Sequence, residues 1–290
     1  MNATISRPAS DGRKKAYGGP VKQVLLNIVP FLFSFTCIVP LVWLLYSTMK
    51  TNPQFEADVI ALPKSFYLGN YEYVFTKTPI LTYLWNTLRN TLISMVGILF
   101  FGFVNGYFLS RFKFRGRNFL YGCYVCALFI PIHALLVPTY LLFSLARLND
   151  QWYSTILPMI ATHLTTTIFL ISSYVKTTPT ELEEAAAIDG SSFSRTMFNI
   201  ILPIVTPSLV TAGIIAFFHC WNEFSYSLVL ISKPQLFTIS LSLTHFKGEN
   251  RIDYPKMMTA MVIAMMPALL SYIAFSKQII NGLVAGALKG

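Results

Sequence analysis

Residues 91–117 read TLISMVGILFFGFVNGYFLSRFKFRGR, and this stretch joins a long apolar run to a compact group of basic residues. Its first part, residues 91–110, carries no charged side chain. A helix of about 20 apolar residues is long enough to cross the hydrocarbon core of a bilayer. The basic residues follow directly, at Arg111, Lys113, Arg115 and Arg117. Because Lys and Arg are retained on the cytoplasmic side of a membrane, we expect this end of the helix to face the cytoplasm.

The composition of the whole chain also indicates a membrane protein. Among its 290 residues, 54% are hydrophobic and 12% are charged, and the mean hydropathy is +0.56. A soluble domain carries about 25% charged residues, and a disordered chain requires low hydrophobicity, so both classes are excluded. The net charge of +10 is explained by basic loops beside anionic lipid. Because basic loops beside a membrane account for this charge, we do not expect nucleic-acid binding.

The sequence contains six apolar runs that are each long enough to cross a bilayer. They predict an all-α, polytopic bundle of six transmembrane helices. The predicted spans are residues 24–46, 91–110, 119–142, 154–174, 207–231 and 257–279. Pro131, with Pro138 as a second candidate, is expected to bend the third span. We divide the chain into a cytoplasmic tail, the first span with an extracytoplasmic segment, a core of five helices, and a second cytoplasmic tail. These regions are residues 1–22, 23–83, 84–279 and 280–290.

Signatures of enzymes are absent from the sequence, which has no P-loop, nucleophile elbow, zinc-protease motif or dinucleotide fingerprint. Cys123 and Cys126 are one helical turn apart, but no second Cys or His pair completes a metal site. The histidines are scattered singly, at His133, His163, His219 and His245. We interpret a lone His in a span as a hydrogen-bonding residue between helices. The sequence therefore predicts a non-catalytic chain that binds no cofactor and no metal.

Two features lie inside the predicted spans. Gly102 and Gly106 form a small-xxx-small pattern, which predicts close approach of another helix of this chain or of a partner.

Glu223 is the one acid clearly inside a span, and burying a carboxylate costs several kcal/mol unless it is paired or hydrated. Asn222 and Glu223 could hydrogen-bond a sugar hydroxyl while Trp221 offers a stacking face. They could equally fix the fifth span to a neighbouring helix, and both interpretations remain open.

The loop after the fourth span, residues 175–204, contains TPTELEEAAAIDG at residues 178–190. We expect Thr178 to be the N-cap of a short helix, with Glu181 completing a capping box and Gly190 providing a left-handed stop. A second short helix is expected to end at Leu202-Pro203, and its apolar face would contain Phe193, Met197, Ile200 and Ile201. Because no core of the same chain is expected to cover these helices, we predict that they dock into another protein. An amphipathic pair on the membrane surface is less favoured because the first helix is acidic.

This loop resembles the "EAA" loop of binding-protein-dependent ABC importer permeases. The resemblance rests on Glu184-Ala185-Ala186, Asp189-Gly190 and Ile201-Leu202-Pro203. Further features are similar to the carbohydrate branch of that family and extend the resemblance to nearly the whole chain. These features are residues 63–71 (PKSFYLGNY), Asn86-Thr87, Ile130-Pro131 with Pro138, Trp221-Asn222, and residues 282–290 (GLVAGALKG).

The resemblance implies the fold of a type I ABC importer permease in the bacterial cytoplasmic (inner) membrane. The asymmetry of Lys and Arg over the six predicted spans predicts that both termini are cytoplasmic. It implies a second permease subunit, a cytoplasmic ATPase dimer that binds ATP and Mg²⁺, and an extracytoplasmic sugar-binding protein. The binding protein would dock on residues 50–79 and 232–254. The implied substrate is a sugar or oligosaccharide, and the candidate pathway residues are Trp221, Asn222 and Glu223.

The resemblance also assigns roles in coupling to the ATPase. Glu184 would contact the ATPase, Ala185 and Ala186 would permit close packing, and Gly190 would form the turn. The remaining residues of the implied coupling motif are Asp189, Leu202 and Pro203.

Two other classes of protein compete with this interpretation. A secondary carrier or channel for a small polar solute would use Glu223, but it should show inverted repeats or several buried charges, and neither is visible. A membrane scaffold or a subunit of a membrane enzyme would not need a helix–Gly–helix docking loop between two spans.

Overall fold

A computed structural model of the protein describes residues 20–246 and 252–287, and all regular elements in these ranges are helices. The α-helices in these ranges are α1 (Pro20–Ser47), α2 (Asn52–Ala57), α3 (Gly69–Lys77), α4 (Ile80–Arg111), α5 (Arg117–Leu128), α6 (Leu136–Leu145), α7 (Ile156–Thr177), α8 (Glu181–Ile188), α9 (Phe193–Arg195), α10 (Leu202–Trp221), α11 (Ser225–Leu230), α12 (Ile239–Ser242) and α13 (Tyr254–Ala287). Single turns of 3₁₀ or π helix are Ile132–Leu135, Thr196–Ile201, Pro234–Leu236 and Leu243–His245. The predicted all-α fold is confirmed.

Five helical segments in the described residues are long and apolar enough to cross a membrane, and a bent pair makes a sixth. The five are Asn27–Ser47, Ile80–Arg111, Ile156–Thr177, Phe193–Trp221 and Tyr254–Gln278. The sixth consists of Arg117–Leu128 and Ile132–Leu145, and the helix axis bends by 104° between them. Pro131 lies at this break with extended backbone (ψ 133°), and the proline ring has no N–H to continue the helix. The bend predicted at this proline is therefore confirmed.

Three spans have boundaries that differ clearly from the predicted ones. Helix α4 begins at Ile80 rather than near residue 91, because the polar side chains of its first turns are buried against a loop. The fifth span starts at Phe193 and stops at Trp221, where the chain leaves the helix at Asn222. Helix α13 continues to Ala287, through most of the region assigned to the second tail. Most of the first tail, residues 1–19, lies outside the described residues.

The centre of the bundle is the pair α4 and α7, which pack along most of their length. Gly102 lies so close to α7 that a Cβ atom there would be 2.4 Å from the Thr167 Cγ2 atom. A Cβ atom at Gly106 would be 2.9 Å from Ile171 Cβ and 3.0 Å from the carbonyl oxygen of Ile168. At this spacing a Cβ atom at either position would require the neighbouring atoms of α7 to shift. The close helix packing predicted from these two glycines is confirmed, and the packing partner belongs to the same chain.

Candidate functional site

Helix α8 lies between the ends of α7 and α10, and its first turn differs from the predicted capping box. The N-cap position is Thr180, whose side chain makes no capping bond, and the helix starts at Glu181. Thr178 instead ends α7, and its Oγ1 atom donates to the carbonyl of Tyr174 at 3.4 Å. The prediction that Thr178 caps α8 is wrong. A threonine can also bond backward to its own preceding turn, and sequence alone does not distinguish the two choices.

The end of α8 agrees with the sequence. Gly190 has φ +76°, in the left-handed region. Its N–H donates to the carbonyl of Ala187 at 3.1 Å, and the N–H of Ser191 donates to that of Ala186 at 2.9 Å. These two bonds make a Schellman motif, which satisfies carbonyls that the end of a helix leaves free. The left-handed stop predicted at Gly190 is confirmed.

The two sides of α8 have different surroundings. On the inner side, Ala186 is buried and Glu183 contacts the C-terminal end of α4. On the outer side, Glu184 and Ala185 are exposed, and Ile188 is 86% exposed. Adjacent glutamates therefore face different environments. The uncovered apolar and small side chains on the outer side of α8 form a surface that is suited to bind another protein.

The contacts of Glu183 are specific. One oxygen, Oε1, is 2.6 Å from Arg111 Nε, and the other accepts a hydrogen bond from the Tyr107 hydroxyl at 2.9 Å. Arg111 also donates through Nη2 to the carbonyl of Thr178 at 2.7 Å. The ion pair is largely enclosed, since the side chains of Arg111 and Glu183 are 10% and 19% exposed. Both oxygens of this carboxylate are thus occupied within the chain.

The second predicted helix is not a free docking element. Helix α9 continues through the π turn into α10, and Met197 and Ile201 are buried with Phe103 and Ile171 of the bundle. Pro203 does not end this helix, because the widened π turn before it accommodates a residue without an N–H. The expectation that both helices lack a core of the same chain is therefore wrong for the second one. Leu202 and Pro203 form the start of α10.

Two of the three candidate pathway residues are engaged in bonds within the chain. Trp221 is 3% exposed, and its indole N–H donates to the carbonyl of Ala264 in α13 at 3.1 Å. Glu223 is 9% exposed and accepts from the N–H of Tyr226 and from the N–H and hydroxyl of Ser227, at the start of α11. Asn222 between them is exposed. The sequence left the alternatives at Glu223 open, and this geometry favours a structural bond.

A pair of histidines that sequence reasoning treated as isolated is brought together. The rings of His163 in α7 and His219 in α10 stack with centroids 4.6 Å apart and an interplanar angle of 18°. They border a small cavity of about 10 Å³, enough for one water, next to Thr166 and Thr167. His219, Thr166 and Asn222 are exposed on the surface of the chain. Nothing in the sequence indicated the pair, because the contact joins residues far apart in the chain.

The segment between α1 and α3 is folded around a buried lysine. The Lys50 ammonium donates to the carbonyls of Asp58 and Val59 at 3.2 and 3.0 Å, and it lies over the ring of Tyr46. Desolvation lowers the pKa of Lys50, and the charge of Asp58 partly offsets this effect. The Asp58 carboxylate accepts the N–H groups of residues 60 and 61, and these bonds lower its pKa. The fold of the segment leaves three large apolar side chains more than two-thirds exposed, namely Ile60, Leu62 and Phe66.

No group of three or more His, Cys, Asp or Glu residues in the described parts of the chain could hold a metal ion. The cysteines are free, and Cys123 and Cys126 lie exposed on α5. The side chain of His245 lies outside the described residues.

Comparison with known proteins gives consistent matches. The family model described as "Binding-protein-dependent transport system inner membrane component" matches residues 98–283. A putative ABC transporter permease protein, ORF2, of Caldicellulosiruptor sp. (strain Rt8B.4) is 35% identical over 263 residues, which cover 90% of this chain and 95% of that protein. The sulfoquinovosyl glycerol transport system permease protein SmoH of Agrobacterium fabrum (strain C58 / ATCC 33970) is 28% identical over 252 residues, covering 87% and 88% of the two chains.

A solved structure shares the fold. It is a bacterial ABC transporter involved in the import of the acidic polysaccharide alginate, with a TM-score of 0.78 and 18% sequence identity. The match covers 89% of this chain and 96% of the other. At this identity the likeness shows a common fold.

Proposed function

Because the chain belongs to the family of binding-protein-dependent transport system inner membrane components, we propose that it is a permease subunit of an ATP-driven sugar importer. The proposed substrate class is a sugar or oligosaccharide. Support comes from the names of a relative and a structural neighbour, which specify sulfoquinovosyl glycerol and alginate respectively. Both of these substrates are carbohydrates.

The observation that carries the proposed coupling role is the uncovered outer side of α8. A side chain as apolar as Ile188 is 86% exposed there, beside the exposed Glu184 and Ala185. We assign this side of α8, with Asp189 and the Gly190 turn, to the surface that docks on a cytoplasmic ATPase. Leu202 and Pro203, at the start of α10, would lie within the fifth span where it continues from the docked segment. The chain has no P-loop, so ATP and Mg²⁺ would be bound by the ATPase dimer alone.

The other partners follow from the same proposal. A second permease subunit would complete the bundle, and membrane lipid would cover the exposed apolar side of α1. An extracytoplasmic sugar-binding protein would dock on residues 50–79 and 232–254, where Ile60, Leu62 and Phe66 are uncovered. The basic residues after α4 support a cytoplasmic position for this loop, and α8 and both termini would then lie on the same side of the membrane.

We propose that the surface around the histidine pair lines the sugar pathway, together with Asn222. Polar side chains are not stable against lipid, so exposed His219 and Thr166 on two spans require water or a protein partner. An imidazole ring offers a donor and an acceptor, which match the hydroxyl groups of a sugar. Trp221 and Glu223 would shape this surface from behind, through their bonds to α13 and α11. A carrier that depends on a free Glu223 carboxylate is less consistent with these bonds.

A cysteine at position 219 should react with a water-soluble maleimide in the assembled transporter, because thiolates form and react only where water reaches them. The four native cysteines would first be replaced. Ile273→Cys in α13 is the matched control, since that residue is 70% exposed on an apolar surface and should contact lipid. We expect rapid labelling of His219→Cys and slow labelling of Ile273→Cys. Equal, slow labelling would show that the histidine surface is a dry interface and would refute the pathway.

A further inference from the structure

Helix α4 makes polar contacts at both of its ends, on opposite sides of the proposed membrane. It contains 32 residues, which correspond to about 48 Å at 1.5 Å per residue. Its cytoplasmic end contacts α8, and its extracytoplasmic end contacts the loop before α12. Because α4 is bonded to a segment at each of its ends, it is a candidate for carrying displacement between the two surfaces.

The cytoplasmic contact is the Glu183 carboxylate, held by Arg111 and Tyr107 of α4. An aromatic contact lies beside it. The ring of Phe193 in α9 is 5.6 Å from the ring of Phe108 and 5.6 Å from that of Phe112. The segment from α8 to α9 is therefore attached to the last turns of α4 by one enclosed ion pair and one aromatic cluster.

The extracytoplasmic contact is a set of hydrogen bonds to the loop that follows α11. The Asn86 amide donates to the carbonyls of Gln235 and Phe237 at 2.9 and 3.1 Å. The Thr87 hydroxyl accepts from the N–H of Ile239 at 2.8 Å. Both α4 side chains are buried, so these bonds are protected from exchange with water. A shift of α4 would therefore move this loop with it.

Glu183 is suited to hold α8 rather than to bind a partner. Its two oxygens already have partners in the chain, whereas the neighbouring Glu184 is exposed. Removing one member of an enclosed ion pair leaves an unpaired charge, so the geometry of the pair is strongly maintained. A helix displaced by a docked protein would be expected to move the group to which it is bonded most firmly.

We propose that Glu183 is a positioning residue that fixes α8 to α4, so that displacement of α8 is carried along α4 to the loop at residues 232–239. This inference rests on the proposed function, because it takes the ATPase as the source of the displacement. The ion pair and the Tyr107 bond form the cytoplasmic joint, and the Asn86 and Thr87 bonds form the extracytoplasmic one. Transmission by a rigid helix between two packed joints is a known form of conformational coupling.

The test follows a nucleotide effect across the membrane and uses the complete transporter without its native cysteines. Ser232→Cys places a thiol on the extracytoplasmic loop, at an exposed position. Its maleimide labelling rate is measured with and without the non-hydrolysable nucleotide AMP-PNP and Mg²⁺. We expect the nucleotide to change the rate, and Glu183→Gln to reduce that change by about fivefold or more, in the usual range of coupling between sites.

Glu181→Gln is the matched control, because Glu181 is an exposed acid in the first turn of the same helix. It should leave the nucleotide effect unchanged. If Glu183→Gln is not recovered in a complex, Tyr107→Phe decides the question, because it removes only the hydroxyl that donates to Glu183. A reduced nucleotide effect in Tyr107→Phe supports the joint.

Three results would overturn the inference. They are no nucleotide effect in the unsubstituted transporter, a full effect in Glu183→Gln, and equal losses in Glu183→Gln and Glu181→Gln. Failure of the proposed function is a different result, since the chain would then be purified without any ATPase and AMP-PNP would have no binding site.

Discussion

Replacing Gly190 by proline is expected to abolish the stimulation of ATP hydrolysis by a sugar-loaded binding protein, while the chain still inserts into the membrane. Proline is restricted to φ near −65°, whereas Gly190 has φ +76°, and it lacks the N–H that bonds to Ala187. The Schellman motif would be lost, and the chain would leave α8 in another direction. The measurement is ATP hydrolysis by the purified complex, with and without the loaded binding protein.

Alanine variants separate the effect of this turn from that of backbone strain in general. Gly190 and Gly116 both have positive φ, and a Cβ atom at either position would have no heavy atom within 4 Å. Forcing alanine into that conformation costs roughly 1–2 kcal/mol at each site. Stimulation should fall in Gly190→Ala and stay normal in Gly116→Ala. Normal stimulation in Gly190→Pro would refute the coupling role of the turn.

Replacing Gly106 by leucine is expected to prevent α4 and α7 from packing. Even a Cβ atom would approach the backbone oxygen of Ile168 to 3.0 Å, and a helix backbone cannot yield as a side chain can. Gly106→Ala should cost about 1–3 kcal/mol, as overpacking typically does, and Gly106→Leu should cost more. The measurement is the yield and melting temperature of each variant in mild detergent.

Gly122→Leu is the control for this substitution. It introduces the same side chain into another helix, α5, at a glycine whose Cβ position is open. We expect it to melt near the temperature of the unsubstituted chain. A Gly106→Leu chain that is recovered with the same yield and melting temperature would contradict the close packing of α4 on α7.

Features that depend on local chemistry could be predicted from the sequence. The spans follow from apolar length, the bend from Pro131, the end of α8 from Gly190, and the α4 packing surface from Gly102 and Gly106. Each of these relies on one residue type with a restricted backbone or on a run longer than about 18 apolar residues.

The features that were missed depend on contacts distant in the chain. Glu183 and Glu184 are adjacent acids, and the inner one is distinguished by its contacts with Tyr107 and Arg111 of α4, which lie 76 and 72 residues away in the chain. The stacking of His163 on His219 has the same origin. The continuity of α9 with α10 depends on a π turn, which has no reliable sequence signal. Sequence therefore located the candidate coupling loop but did not reveal how it is held.

The central proposal for this chain is that it works with an ATPase docked on α8. The direct test is purification of the tagged chain from its native membrane in mild detergent, followed by mass identification of stoichiometric partners. Ile188→Asp and Ile60→Asp, which alter exposed isoleucines on α8 and on the proposed extracytoplasmic segment, are purified in parallel. We predict recovery with an ATPase dimer and a second permease, with the ATPase lost only in Ile188→Asp. Recovery of the chain alone, or as a homo-oligomer, under conditions that preserve other complexes would contradict the account.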